Sequence, residues 1–270
     1  MQEKIITRPD GTGIYARITG PRNGPVVVLS HALGTTLHLW DPVLPLLPAE
    51  LRVLRYDMRG HGRSGVPDAP YTMGQLVSDA EAVCDSFDIK DAMFVGLSVG
   101  GMVAQGLAVK RPDLIRALVL SNTAAKIGHP ELWKDRIDRV NAQGMSGVAD
   151  QVMQRWFGRN FYGSSGMVRW LDMLMQTPPQ GYNGVCAAIS GTDFYTPTSG
   201  LRIPTLGIAG TQDGATPPDL VRETVDIIPG AQFALIRRAG HLPCVETPET
   251  FARHLCDFIS ATGHLATDAA

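Results

Sequence analysis

The sequence predicts an α/β protein, in which a mostly parallel sheet of eight strands is flanked by helices and interrupted once by a helical insertion. Three observations predict it. Short apolar runs such as Val26-Val27-Val28-Leu29 are continuous rather than alternating, which implies cover on both faces of the sheet. These runs alternate with amphipathic helical stretches as far as Asn122 and again from Pro204 onward. Between residues 125 and about 197 the periodicity is helical alone. With 270 residues, 44% of them hydrophobic and 19% charged, the chain is long enough for one sizeable core plus an insertion. No internal repeat or low-complexity run divides it. The expected organisation is a core of residues 1–124 and 197–262, a helical cap over 125–196, and a small-residue tail, 263–270, that frays.

Taken in order, residues 5–18 read as two strands around Pro9-Asp10-Gly11-Thr12-Gly13, a break that suits an antiparallel hairpin. Residues 25–30 form a buried strand and lead into the small-residue loop His31-Ala32-Leu33-Gly34-Thr35-Thr36. Such a loop, leaving a central strand, is a place for a backbone donor, and Leu33 N–H is the candidate. His31 is read as holding the turn by hydrogen bonds. A short helix is expected over 40–47 and a strand over 51–56. The loop Asp57-Met58-Arg59-Gly60-His61-Gly62-Arg63-Ser64-Gly65 has too few ligands for a zinc site, so charge pairs that brace a turn are expected there. Residues 72–87 read as an amphipathic helix with Asp79 and Glu81 outward. Strands follow at 93–97 and 117–120. Beyond the insertion come strands at 204–210 and 232–236 and a closing helix over 248–260.

The chemistry centres on Gly96-Leu97-Ser98-Val99-Gly100, set between an apolar strand and a helical pattern that begins at Val99. A strand-to-helix turn this sharp strains its central residue, and glycines on either side remove Cβ atoms that would collide. The Ser98 hydroxyl is then presented at the carboxyl edge of the sheet, and Val99 N–H, at a helix N-terminus, can donate to an anion. A dinucleotide fold would need glycine at position 98, and a P-loop would need Gly-Lys-Ser/Thr; neither is met. Serine is a poor nucleophile at neutral pH without a base, and the base needs an orienting acid. In doubly wound hydrolases these partners follow in the order serine, acid, histidine, each in a loop that leaves a strand. Asp213, after the 204–210 strand, and His241, after the last strand, meet that order. Asp193 and Asp219 are alternative acids, but neither ends a strand as Asp213 does.

A net charge of −2 with no concentrated basic stretch argues against a nucleic-acid partner. The N-terminal Met1-Gln2-Glu3-Lys4 has no apolar leader and no run approaches membrane-span length, so neither secretion nor a membrane partner is expected and the cytoplasm is the expected location. Cys84, Cys186, Cys244 and Cys256 form no Cys-x-x-Cys pair, which suits reduced, packing thiols. No metal or organic cofactor is expected.

With these residues in place, the sequence resembles the α/β-hydrolase fold family and, over nearly its whole length, the 3-oxoadipate enol-lactonases. The elbow Gly-Leu-Ser-Val-Gly-Gly-Met, Asp-x-Arg-Gly-x-Gly-x-Ser at 57–64 and Ala-Gly-His-Leu at 239–242 belong to the wider family. More specific are Asn122-Thr123-Ala124-Ala125-Lys126-Ile127-Gly128, Arg155-Trp156-Phe157, and Gly181-Tyr182 followed by Cys186-Ala187-Ala188-Ile189. One departure is Ala32, where such lactonases often carry serine. The resemblance implies a cofactor-free serine hydrolase acting on a small lactone that bears a carboxylate, within protocatechuate and catechol breakdown. Its catalytic residues would be Ser98, Asp213 and His241, with Leu33 and Val99 N–H as the oxyanion hole. A substrate carboxylate needs a cation, because an unpartnered buried charge is prohibitive. Trp133 and Arg136, three apart on one helical face, are the candidates, with Trp156 as a further wall. Lys134, Arg139 and Arg155 are alternative cations. A generic carboxylesterase, a cofactor-free perhydrolase and a hydrolase-fold binding protein share the core residues. Haloalkane dehalogenases and epoxide hydrolases need a carboxylate at the elbow, so Ser98 argues against both.

Overall fold

The computed structural model describes residues 1–265 and contains one eight-stranded sheet. Its strands are β1 (Gln2–Thr7), β2 (Gly13–Thr19), β3 (Val26–Ser30), β4 (Arg52–Tyr56), β5 (Ala92–Leu97), β6 (Ile115–Ser121), β7 (Thr205–Gly210) and β8 (Gln232–Ile236). They lie in the order β1-β2-β4-β3-β5-β6-β7-β8. β1 and β2 form the antiparallel hairpin that Pro9 to Gly13 announces, β2 also meets β4 antiparallel, and every later pairing is parallel. All residues of β3, β5 and β7 are buried, as strands covered on both faces must be. Register pairs Ser30 with Gly96, Leu97 with Ser121, and Gly210 with Ile236. The carboxyl ends of β3, β5, β6, β7 and β8 therefore open along one edge of the sheet.

Helices α1 (Met73–Ser86), α2 (Val99–Lys110), α8 (Pro218–Asp226), α9 (Pro243–Glu246) and α10 (Pro248–Ala261) flank this sheet. α1 starts at a capping box in which the Thr72 hydroxyl accepts from Gln75 N–H while the Gln75 side chain accepts from Thr72 N–H. Two expectations change here. Asp79 is buried, not outward: Arg59 donates to both of its oxygens, Nε at 2.6 Å and Nη2 at 2.8 Å, and Arg8 Nε adds a bond of 3.0 Å. A carboxylate enclosed by two guanidinium groups can leave water where an unpaired one cannot. The helix expected over 40–47 is instead two 3₁₀ turns, Leu37–Trp40 and Leu44–Leu46. Pro42, Pro45 and Pro48 lack the N–H groups that a continuous α-helix needs.

Between β6 and β7 lie α3 (Pro130–Gln143), α4 (Ser146–Trp156), α5 (Val168–Met175), α6 (Pro179–Ser190) and α7 (Tyr195–Ser199). The insertion closes on itself where Phe194 N–H donates to the Ala125 carbonyl at 2.9 Å. It packs over the loops that follow β3 and β4. At Gly60 and Gly181 the two backbones approach so closely that a Cβ on either would strike the other. Gly34, at φ +76°, faces Leu174, Tyr182 and Trp156. At the other end of the chain, His264 is buried and its Nε2 meets the Val26 carbonyl at 2.9 Å, so the start of the segment expected to fray docks on β3. Its remainder, 266–270, lies outside the described residues. Among the described residues no helix is long and apolar enough to cross a membrane.

Candidate active site

The turn between β5 and α2 carries the strain expected of it. Ser98 adopts φ +59° and ψ −122°, a conformation rare for any residue with a side chain. Surrounding contacts hold it there: Ser98 N–H donates to the Ser121 carbonyl at 3.0 Å, and the Ser98 carbonyl accepts from Thr123 Oγ1 at 2.6 Å. A Cβ at Gly96 would strike the backbone of Gly100 and Gly101, and one at Gly100 would strike the Ser30 and His31 carbonyls. That second approach brings the start of α2 against the loop after β3. Among the described residues neither Leu33 N–H nor Val99 N–H has a protein acceptor. One of these donors follows Ser98 at a helix N-terminus, and the other belongs to a residue that borders the same cavity as Ser98.

The loop that bears Leu33 is fixed by two buried histidines, His31 and His61. His31 Nε2 accepts from Met58 N–H at 2.9 Å, and His61 Nε2 accepts from Gly34 N–H at 3.0 Å. Accepting at Nε2 requires these rings to be neutral there. Burial agrees, pushing His31 down to about 4 and, with His31 nearby, His61 down to about 3. Charge pairing also braces the glycine-dense loop as expected, through Arg59 with Asp79 and Asp10. Asp57 acts separately, accepting from Leu37 N–H at 2.7 Å and Arg63 N–H at 2.9 Å.

Asp213 and His241 meet at the ends of β7 and β8. Asp213 Oδ2 lies 2.9 Å from His241 Nδ1. The same oxygen accepts from Asn122 Nδ2 and from Thr216 Oγ1, each at 2.8 Å, while Oδ1 accepts from Ala215 N–H at 2.7 Å and Thr216 N–H at 3.0 Å. Burial works to raise the Asp213 pKa, yet the attraction of His241 and these hydrogen bonds outweigh it and hold the group below the ordinary carboxylate value. An ionised carboxylate only accepts, so the shared proton sits on His241 Nδ1, the tautomer that puts the lone pair of a neutral ring on Nε2. Asp193, by contrast, pairs with Lys126 on the surface.

Ser98 and His241 border one cavity of about 70 Å³, whose other walls include Leu33, Trp133, Arg136, Arg155, Trp156 and Tyr182. The local spacing of Trp133 and Arg136 works as predicted: the guanidinium carbon lies 5.2 Å from the indole ring, and Trp133 Nε1 is anchored on the Ile127 carbonyl at 2.7 Å. Arg136 also reaches the buried Tyr182 hydroxyl at 3.5 Å. Arg155 joins it, whereas Arg139 is exposed and Lys134 pairs with Asp138 on the outer face of α3. Among the described residues neither Arg136 nor Arg155 has a carboxylate partner. Burial, then the nearby Arg136, push the Arg155 pKa down, the signature of a cation short of an anion.

Sequence reasoning missed Asn122, Thr216 and Glu246. Asn122 stands at φ +47°, a conformation asparagine tolerates better than most, and its amide links Asp213 to the Gly240 carbonyl at 3.2 Å. Glu246 accepts from Gly240 N–H at 2.7 Å and Gly158 N–H at 2.9 Å. The position of Asn122 at a strand's carboxyl end was a usable signal; Glu246 offered none. Among the described residues no three His, Cys, Asp or Glu side chains are grouped so as to hold a metal ion.

Comparison with known proteins gives a consistent picture. Residues 25–248 match the family model described as alpha/beta hydrolase fold. 3-Oxoadipate enol-lactonase 1 of Acinetobacter baylyi is 32% identical over 259 residues, covering 95% of this chain and 97% of its own. The crystal structure of the enol-lactonase from Burkholderia xenovorans superposes with a TM-score of 0.89 at 38% identity, covering 93% of this chain and 98% of that one. A hydrolase from Pseudomonas aeruginosa gives a TM-score of 0.91 at 37% identity, covering 95% and 98% respectively.

Proposed function

We propose, from the premise that this chain belongs to the α/β-hydrolase fold family, that it opens 3-oxoadipate enol-lactone to 3-oxoadipate through an acyl-enzyme. The observation that carries this reading is a cavity with Ser98 and His241 on its wall and two guanidinium groups that have no carboxylate partner among the described residues. A neutral ester would leave both cations unpaired in a partly buried site, whereas a lactone with a free carboxylate supplies the missing anion. The likeness to enol-lactonases over nearly the whole chain supports the same substrate.

In the proposed reaction His241 Nε2 takes the Ser98 proton while Asp213, bonded to Nδ1, stabilises the imidazolium. The serine oxygen attacks the ring carbonyl, and Leu33 and Val99 N–H receive the oxyanion. Collapse breaks the ring C–O bond while the imidazolium returns its proton to the leaving oxygen, giving an acyl-enzyme whose freed enol tautomerises to the ketone. Water, deprotonated by His241, then releases the diacid. The insertion serves as a cap, with Trp133 and Trp156 as walls and Arg136 and Arg155 as the carboxylate site. Side chains and backbone amides supply every group this scheme needs. A cytoplasmic place in protocatechuate and catechol breakdown suits the proposed substrate.

The test is loss of enol-lactone absorbance with purified protein. Turnover is expected with the wild type. Ser98→Ala should abolish it and Asp213→Asn should reduce it by several orders of magnitude, with circular dichroism unchanged. Inactivity of the wild type on the lactone alongside rapid hydrolysis of neutral esters would overturn the substrate assignment. Near-native turnover in Ser98→Ala would overturn the covalent mechanism.

A further inference from the structure

The exit of α4 is bound, group by group, to the two loops that carry the acid and the histidine. The Arg155 carbonyl accepts from Gly214 N–H at 3.3 Å, and the Trp156 carbonyl accepts from His241 N–H at 2.7 Å and Leu242 N–H at 3.3 Å. Arg159 N–H donates to Gln212 Oε1 at 2.8 Å. Glu246 spans the seam, with Oε2 on Gly158 N–H and Oε1 on Gly240 N–H, the residue before His241. The segments are so close that a Cβ at Gly240 would press on the Trp156 carbonyl and Gly158 N–H. Arg155 and Trp156, on this same exit, border the cavity.

We propose that Glu246 is a positioning residue whose carboxylate pins the α4 exit to the histidine loop, so that the cavity wall and the base move as one unit. This rests on reading Ser98, Asp213 and His241 as a hydrolytic triad. Only the carboxylate can accept from both glycine N–H groups with equal strength. A carboxylic acid, or the amide of glutamine, keeps one good acceptor and turns a donor toward the other N–H. Burial raises the Glu246 pKa to about 7; the two backbone N–H groups lower it, Asp213 at the end of β7 raises it and His241 beyond β8 lowers it. On its own helix Cys244 is buried and protonated at neutral pH, and the α4 exit donates to Glu246 through the Gly158 backbone N–H. The pin is thus fastened above neutrality and loosened below it.

Glu246→Gln is compared with wild type by the rate at which a fluorophosphonate labels Ser98, which reads the triad without reference to the lactone. Near pH 8 the variant should be about tenfold slower, and near pH 5.5, where wild-type Glu246 is itself protonated, the rates should converge. A ratio that does not change with pH would overturn the proposal, since a merely structural role predicts a constant factor. Amide hydrogen exchange on the wild type alone gives the second readout. Protection at Gly158 and Gly240, corrected for intrinsic rates, should fall as pH drops from 8 to 6, and unchanged protection would overturn it. If wild type is not labelled at all, the triad reading fails, while the exchange experiment still decides on the pin.

Discussion

Replacing Arg136 with methionine tests the proposed carboxylate site most directly. Methionine keeps the length and apolar stem that lie against Trp133 and removes only the charge and the donors. A hydrogen bond to a charged group contributes about 1.5–3 kcal/mol. Arg155 borders the same cavity and already feels Arg136 as a like charge, so removing one relieves repulsion on the other and leaves a cation in reach of the substrate. The single variant should therefore fall near the lower end, losing about 2 kcal/mol in kcat/KM for the enol-lactone, roughly 30-fold. Arg155→Met should behave alike. In the double variant neither guanidinium remains, and the loss should exceed the sum of the two single losses, because neighbours that share one ligand group are coupled. The assay compares kcat/KM for the enol-lactone with that for phenyl acetate, which has no carboxylate. Losses that are equal on both substrates would mean that the cavity has been distorted. Additive single losses would show that the two guanidinium groups do not share one anion, and no loss on the lactone would move the carboxylate elsewhere.

Two further outcomes follow from the same geometry. His31 and His61 are held neutral, with folded pKa values of about 4 and about 3 against 6.5, so their contribution to stability is complete above about pH 6.5 and is lost as pH falls toward those values. Urea unfolding from pH 6 down to pH 4.5 should show each histidine lowering stability by about 1.4 kcal/mol per pH unit, and His61→Gln, which still offers an acceptor to Gly34 N–H, should remove one histidine's share of that slope; superimposable slopes would refute the assignment. Prolonged chelation should leave lactone turnover unchanged, since the proposed oxyanion donors are backbone amides; loss on chelation that a divalent ion restores would contradict this.

What could be read from the sequence was what a residue's own neighbours decide. The alternation of strand and helix, the strained turn at Ser98, and the i,i+3 meeting of Trp133 with Arg136 are local patterns, and each recurs in the structure. Asp213 and His241 needed one rule of chain order in addition, because parallel strands send their exits to one edge. Asp79 failed for the opposite reason: helical periodicity sends a carboxylate outward unless cations arrive from elsewhere, and here Arg59 and Arg8 come from 20 and 71 residues away. Glu246, 88 residues from the Gly158 it holds, was equally hidden. The hidden group shares a property. Asn122, Thr216 and Glu246 each bind the loops that carry Asp213 and His241, and all three act in part through backbone groups that no side-chain motif encodes. The proposed nucleophile can be recognised from five consecutive residues because one turn makes it, whereas the proposed acid and base depend on contacts gathered from β6, β7, β8 and the inserted helices. On the proposed reading, a relative that kept Ser98, Asp213 and His241 but altered the α4 exit would keep its hydrolytic chemistry and change both the cavity wall at Arg155 and Trp156 and the setting of its histidine, since those contacts share one stretch of backbone.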